Sequence, residues 1–326
     1  YRRQYADFGP TLASEKLLER DKINICDETL RLWLILAGLW SVHQRKKPKE
    51  RTWRARKEHL GQMVQMDGSH HDWLEGRGPK LVLMGYIDDA TGRFYGKFYA
   101  YEGTLPAMGS LKAYIKLYGL PKSIYLDKHA TYKNNHKERY TNWPFRDEEE
   151  LTQFARACKQ LGIELIHAHS APAKGRVERV FRTHQHRLVK ELRLAGAKTC
   201  AETNAVLGRY LWPFNRKFQV PAQKKGDWHR DFNPKINLDE ILSVQTNHPL
   251  RNDRTIVHNK RWFQVLTRTR AENITVHEHL NGRMDIKHGQ ARLAWRPIEG
   301  PIIRIKEPKP TKQRRKRFIP PGSDYW

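Results

Sequence analysis

Hydrophobic and polar positions change their period several times along the chain. Near the start, Leu12, Leu17 and Leu18 fall at helical intervals within Thr11–Arg20. A second apolar run, Glu28–Ala37, follows Asp27, whose side chain suits an N-cap, and precedes Gly38, which suits a C-cap. Two short helices joined by 21–26 have the size of a helix-turn-helix. From residue 60 the period shifts. Met63–Asp67 reads as a short strand, LVLMGYI at 81–87 as a buried strand, and Arg93–Tyr101 alternates as a third, across the turn Asp88-Asp89-Ala-Thr-Gly92. Leu105–Tyr118 is amphipathic and stops at Gly119. Ser123–Leu126 predicts a strand, Glu148–Leu161 a helix, and Ile163–Ala168 a strand. Lys174–Leu194 and Thr203–Phe218 predict two further helices. The order is β-β-β-α-β-α-β-α-α.

Beyond it the chain alternates again. Thr255–His258 and Trp262–Leu266 are separated by Asn259-Lys260-Arg261. Asn273–Leu280 and Arg283–His288 flank Asn281-Gly282, a two-residue hairpin signal, and Leu293–Trp295 is one more strand. The divisions are then a helix-turn-helix segment (1–43), a linker (44–59), a main α/β domain (60–218), a second linker (219–238), a small β-barrel (239–303) and a tail (304–326).

Charge alters this picture most. Lys and Arg total 61 against 35 Asp and Glu, a net charge of +26, which calls for a polyanionic partner, DNA or RNA ahead of a membrane surface. The linker 44–59 has eight cations in sixteen residues, Arg45, Lys46, Lys47, Arg54 and Arg56 among them, and the segment 304–317 has eight in fourteen. Both suit phosphate tracking. The second N-terminal helix places Thr29 and Arg31 where a DNA-reading helix presents its first turn. No apolar run is long enough for a membrane-spanning helix. Three cysteines without a Cys-x-x-Cys argue against a disulfide scaffold or a thiolate zinc site and for a reducing, cytoplasmic setting. Tyr1 opens the sequence in place of Met, which leaves room for an upstream segment.

Three carboxylates stand out against the element order, which is that of the ribonuclease H-like fold with a mixed five-stranded sheet. Asp67 lies on the first strand, Asp127 ends the fourth, and Glu178 lies one turn into the long helix. In such a sheet the first and fourth strands are neighbours, and their ends can meet the start of that helix. Hard oxygen ligands suit Mg²⁺, or Mn²⁺ in its place, and three carboxylates can hold two such ions. One ion activates the attacking hydroxyl and the other stabilises the leaving oxygen of an in-line phosphoryl transfer. Each carboxylate has a competing reading as a salt-bridge partner in so basic a chain. Asp88 and Asp89 read better as turn chemistry, Asp72 as a cap or salt bridge, and Glu102 has no evident role. The pairs His70/His71, His167/His169 and His184/His186 invite a zinc reading, but His184 and His186, at i and i+2 on a helix, point apart and make a poor chelate. The tryptophans Trp33, Trp40, Trp143, Trp212, Trp228, Trp262 and Trp295 read as core.

The stretches QMDGSHHDW with IDDATGR, YGLPKSIYLDKHATY and HSAPAKGRVERVFRT resemble the DDE transposase and retroviral-integrase catalytic core, nearest to bacterial ISNCY-type insertion-sequence transposases. The resemblance covers about residues 5–300, including the helix-turn-helix stretch YADFGPTLASEKLLERDKI. It implies that Asp67, Asp127 and Glu178 are the catalytic metal ligands, and that His169, Ser170, Lys174 and Arg176 face DNA near the scissile phosphate. Lys128 and His129 would contact the backbone, and Arg179 and Arg182 would extend that surface. It further implies double-stranded DNA as substrate, at least a dimer on DNA, and end cleavage followed by strand transfer at the bacterial nucleoid. The interval from Asp127 to Glu178 is longer than in retroviral integrases, and 133–150 would hold the insertion. Two other readings stay open: a catalytically silent DNA-binding repressor descended from a transposase, and a plain nuclease of the same fold.

Overall fold

A computed structural model describes residues 1–41, 55–126, 152–167 and 175–300. The chain divides into two compact units. The first holds Tyr1–Gln245 and His277–Met284; the second holds Thr246–Val276 and the chain from Asp285 on.

The centre of the first unit is a five-stranded sheet. Its strands are β1 (Val64–His71), β2 (Leu81–Asp88), β3 (Phe94–Tyr99), β4 (Ser123–Leu126) and β5 (Glu164–His167). They lie in the order β3-β2-β1-β4-β5. β1 and β3 are each antiparallel to β2, while β1, β4 and β5 run parallel. This is the ribonuclease H-like arrangement that the element order predicts, with β1 central. β2 is buried at every position, as a strand covered on both faces must be.

The two faces carry separate cores. Val64, Met66, Met84, Tyr86 and Ile124 pack against α3 (Thr104–Tyr118) and α4 (Gln153–Gln160). Leu83, Ile87, Phe94 and Phe98 pack against α5 (Gly175–Leu194) and α6 (Cys200–Phe218). α6 starts on a capping box, in which Thr199 accepts from the Glu202 amide and Glu202 accepts from the Thr199 amide. It also closes the edge of the sheet. Asn204 and Asn215 each exchange a pair of hydrogen bonds of 2.8–3.0 Å with the backbone of Phe98 and Phe94. Two side-chain amides thus do the work of a missing sixth strand.

The N-terminal pair is α1 (Pro10–Asp21) and α2 (Asp27–Leu36). Asp27 is the first helical residue rather than the cap. Cys26 holds the N-cap position, and the Asp27 carboxylate instead accepts from the Glu28 amide and the Thr11 hydroxyl. α1 rests on α5 and α6 through ions: Arg187 donates to both oxygens of Glu15 at 2.7 and 2.8 Å, Lys217 also reaches Glu15, and Lys16 pairs with Glu191.

Residues 219–238 are held at several points. The Trp228 amide donates to Leu60, Leu120 and Arg230 exchange two backbone bonds of 2.9 Å, and His229 Nε2 lies 2.8 Å from the Tyr114 hydroxyl. A short helix α7 (Leu238–Ile241), unforeseen in the sequence, follows.

The C-terminal strands form two sheets. One, of four strands, has the order β11-β10-β9-β6, from Ala291–Leu293, Met284–His288, Asn273–Glu278 and Val244–Pro249. The other, of three, has the order β12-β8-β7, from Trp295–Ile298, Arg261–Val265 and Thr255–His258. The tight two-residue turn lies at Asn259-Lys260, with φ of 48° and 62° and His258 paired to Arg261. Asn281-Gly282 sits in a wider loop, closed by the His279 amide on Arg283.

The tryptophans also depart from expectation. Trp73 is buried in the core. Trp33 and Trp212 are exposed, Trp212 beneath Arg216, and Trp228 lies between His59 and Lys122. Trp143 lies outside the described residues.

Candidate active site

Strand alternation puts Gln65, Asp67 and Ser69 on one face of β1. Two contacts identify it as the α5 face. Gln185 of α5 donates to Ser69 Oγ at 3.2 Å. Gln65 Nε2 donates to Asp89 Oδ1 at 2.8 Å, and the same oxygen accepts from Arg176 of α5 at 2.5 Å. Asp67 lies between these two ties.

Across the strand, Asp67 pairs with Gly85 of β2. A Cβ on Gly85 would come within 2.6 Å of Phe181 Cε1, so the Phe181 ring fills the space a side chain would have taken. Phe181 is three residues after Glu178 on α5, which makes them neighbours along one side of the helix. Gly85 therefore lets α5 settle close to β1 beside Asp67. Asp67 is partly exposed and Glu178 exposed.

Asp127 lies outside the described residues, as do Arg45, Lys46, Lys47, Arg54, Lys128, His129, His169, Ser170 and Lys174. Among the described residues no three metal-ligating side chains converge. Asp67 and Glu178 supply two hard carboxylates from facing elements, a donor type that fits a divalent cation such as Mg²⁺.

Other predicted positions fall as follows. Thr29 is exposed on α2, and Arg31 is held by two hydrogen bonds to Glu28. Arg56 donates to the Ala90 carbonyl. Arg176 turns inward to Asp89, while Arg179 and Arg182 are exposed on α5. Asp88 is turn chemistry as expected: it accepts from the amide and hydroxyl of Thr91 and from the Gly61 amide. Asp89 departs from that reading, since its carboxylate serves β1 and α5. Glu102 gains a role, meeting His70 Nε2 at 2.7 Å beside Gly68.

The histidines of α5 diverge. His184 is buried between the rings of Phe94 and Phe214, with Nδ1 3.2 Å from the Tyr210 hydroxyl and no partner for Nε2. Burial pulls its pKa down to about 3. His186 is exposed, with Nε2 3.2 Å from Lys190 Nζ.

A Sinorhizobium fredii protein designated a transposase, y4bF, is 35% identical over 308 residues, covering 91% of this chain and 65% of its own length. The transposase for insertion sequence IS1202 of Streptococcus pneumoniae is 35% identical over 168 residues, 51% of this chain and 34% of its own. This chain is thus similar, over most of its length, to a bacterial protein designated a transposase. It spans about two thirds of the first relative and one third of the second. No family model matches it. Among solved structures, the catalytic core domain of BIV integrase is similar at 19% identity and a TM-score of 0.35, over 48% of this chain and 85% of that one. A simian T-cell lymphotropic virus intasome in complex with a PP2A regulatory subunit is similar at 16% identity and a TM-score of 0.38, over 86% and 95%. No helix among the described residues is long and apolar enough to cross a membrane.

Sequence reading missed two supporting features of this site. Gly85 was legible, since a glycine inside the apolar run LVLMGYI marks a close approach of another element. The Gln65–Asp89–Arg176 cluster joins residues far apart in sequence, and no local pattern announces it.

Proposed function

We propose that the chain is a DDE transposase that cuts and joins DNA at the ends of a mobile element. The observation that carries this reading is the placement of Asp67 on the central strand beneath the helix that bears Glu178. The strand register supports a third member. Val64 pairs with Ile124 and Gln65 with Tyr125, an offset of 60, which equals the interval from Asp67 to Asp127 (127 − 67 = 60).

Asp67, Asp127 and Glu178 would hold two Mg²⁺ ions, with Mn²⁺ as a substitute. When bound, such ions supply Lewis-acid activation to the attacking and leaving oxygens of phosphoryl transfer. The three carboxylates serve two successive reactions. Water first opens a phosphodiester to leave a free 3′-hydroxyl, and that hydroxyl then attacks target DNA. Phosphate binding falls to the cations at and beyond the start of α5, Lys174, Arg179 and Arg182, where helix-terminal amides also favour an anion. Arg45, Lys46, Lys47, Arg54, Arg56, Lys128, His129, His169 and Ser170 would add phosphate contacts, with Thr29 and Arg31 of α2 on the element's ends. Two ends must be held together, so at least a homodimer on double-stranded DNA is proposed, working at the bacterial nucleoid.

The test is strand joining with Mg²⁺ or Mn²⁺, labelled DNA carrying the ends that flank the gene, and a target plasmid. Joined product from wild type and none from Asp127→Asn supports the reading. Equal product from both sinks the role of Asp127. Nicked but never joined DNA indicates a nuclease, and tight end binding without any product indicates a silent DNA-binding descendant.

A further inference from the structure

We propose that Asp89 is a positioning residue, which fixes the first turn of α5 on β1 and so sets where Glu178 stands relative to Asp67. The inference rests on the catalytic reading of those two carboxylates.

Asp89 is fully buried, and its carboxylate is met by groups from three other parts of the chain. Oδ1 accepts from Gln65 Nε2 at 2.8 Å and from Arg176 Nη1 at 2.5 Å. Oδ2 accepts from the Lys57 amide at 2.8 Å. Gln65 is two residues before Asp67 on the same strand, and Arg176 is two residues before Glu178 on the same helix. One carboxylate therefore ties the element that carries one candidate ligand to the element that carries the other.

The spacing shows why the tie matters. The second tie between the two elements is Gln185 to Ser69. From Arg176 to Gln185 is nine residues, a helical rise of about 13.5 Å. From Gln65 to Ser69 is four residues, a strand rise of about 13 Å. The two elements run in step between their ties, and Asp67 stands at the middle of the span. Phe181, over the cross-strand partner of Asp67, stands near the middle on the helix side. Glu178 lies in the part of the span governed by the Asp89 end.

That end is the one that needs holding. The first amides of a helix have no partner within it, so an opening turn frays unless something outside anchors it. Asp89 anchors it through a side chain, Arg176, whose burial makes the bond costly to release. Removing the carboxylate would take a charged partner from a guanidinium whose side chain is only 17% exposed. The first turn would then leave β1, carrying Glu178 with it. Gln65 donates to the same oxygen and keeps Asp89 from following Arg176 outward. This assigns Arg176 to the scaffold, whereas Arg179 and Arg182 are exposed further along the helix.

The test uses the full chain in two measurements, with Thr199→Ala as a control that weakens the α6 cap at a distance. The first is amide hydrogen exchange without metal. Asp89→Asn is expected to speed exchange at residues 177–181 about tenfold while the C-terminal half of α5 is unchanged. The second is DNA cleavage against divalent-ion concentration. Asp89→Asn is expected to raise the half-saturating Mn²⁺ about tenfold and lower kcat, with KM for DNA unchanged. Thr199→Ala moves neither. Should Asp89→Asn not fold, Arg176→Gln keeps the Gln65 and Lys57 bonds and is held to the same thresholds. Wild-type exchange at 177–181 in a folded variant overturns the anchor. Faster exchange with an unchanged Mn²⁺ midpoint overturns the positioning role. If wild type itself cleaves nothing while the exchange result holds, the catalytic reading fails and the anchor stands.

Discussion

Gly85→Ala tests how closely the candidate site depends on the packing beneath it. The added Cβ would lie 2.6 and 2.7 Å from two carbons of the Phe181 ring and 2.9 Å from Phe94 Cε2. Carbon atoms rest at about 3.5–4.0 Å, so the Phe181 ring must retreat by about 1 Å. Phe94 is a poor cushion, since it is itself buried and packed against Phe181, Phe214 and His184. The helix must therefore take up part of the shift, and Glu178 is one turn away. Overpacking of this kind costs about 1–3 kcal/mol of stability. A catalytic group misplaced by about 1 Å costs on the order of 10²-fold in rate. The assay pairs urea unfolding with single-turnover cleavage of end DNA, so that loss of folded protein and loss of rate are read separately. Phe181→Leu in the same background relieves the clash, and the double variant is expected to recover about 1 kcal/mol relative to the sum of the single changes. A folded Gly85→Ala protein that cleaves within about threefold of wild type would refute the reasoning, because a 1 Å shift at the site should cost far more.

Three further outcomes follow from the same structure. His184 is neutral in the fold, with its pKa pulled to about 3 by burial, and takes a proton on unfolding below its ordinary value of 6.5. Its contribution is full above pH 6.5 and is lost as pH falls towards 3, at about 1.4 kcal/mol per pH unit. Unfolding free energies from urea titrations at pH 7 and pH 5 should therefore separate by about 2 kcal/mol more in wild type than in His184→Phe, and equal separations would refute this. Asn215→Leu leaves the amide and carbonyl of Phe94 without their side-chain partners, and thermal unfolding should show a loss of about 1–3 kcal/mol; an unchanged Tm would mean that water replaces the clamp. Thr199→Ala removes one half of the α6 capping box and should cost about 1 kcal/mol in urea unfolding, with the cleavage rate of the folded fraction intact.

The comparison of sequence with structure turns on range. Strand and helix types were legible because their signals are local: continuous apolar residues at 81–87, alternation at 94–99, and helical spacing along α5. Boundaries slipped where local signals compete. β1 runs on to His71 because β2 pairs with it through Leu81, a partnership that the polar stretch GSHH does not advertise. Asn281-Gly282 lost the tight turn to Asn259-Lys260, where the flanking strands pair directly and force two non-glycine residues to positive φ. Trp33 and Trp212 were misjudged because ring size signals apolar area but not which side of a helix faces the core, and both rings stand exposed.

By itself, the sequence determined the basic charge and the order of strands and helices from β1 to α6. Only the tertiary structure decided which face of β1 Asp67 occupies, which glycine admits α5, and which buried carboxylate ties strand to helix. The physical reason is that propensity and periodicity act between neighbours in the chain. Gly85 with Phe181, and Gln65 with Asp89 and Arg176, become neighbours only once the sheet has brought distant segments into van der Waals and hydrogen-bond range.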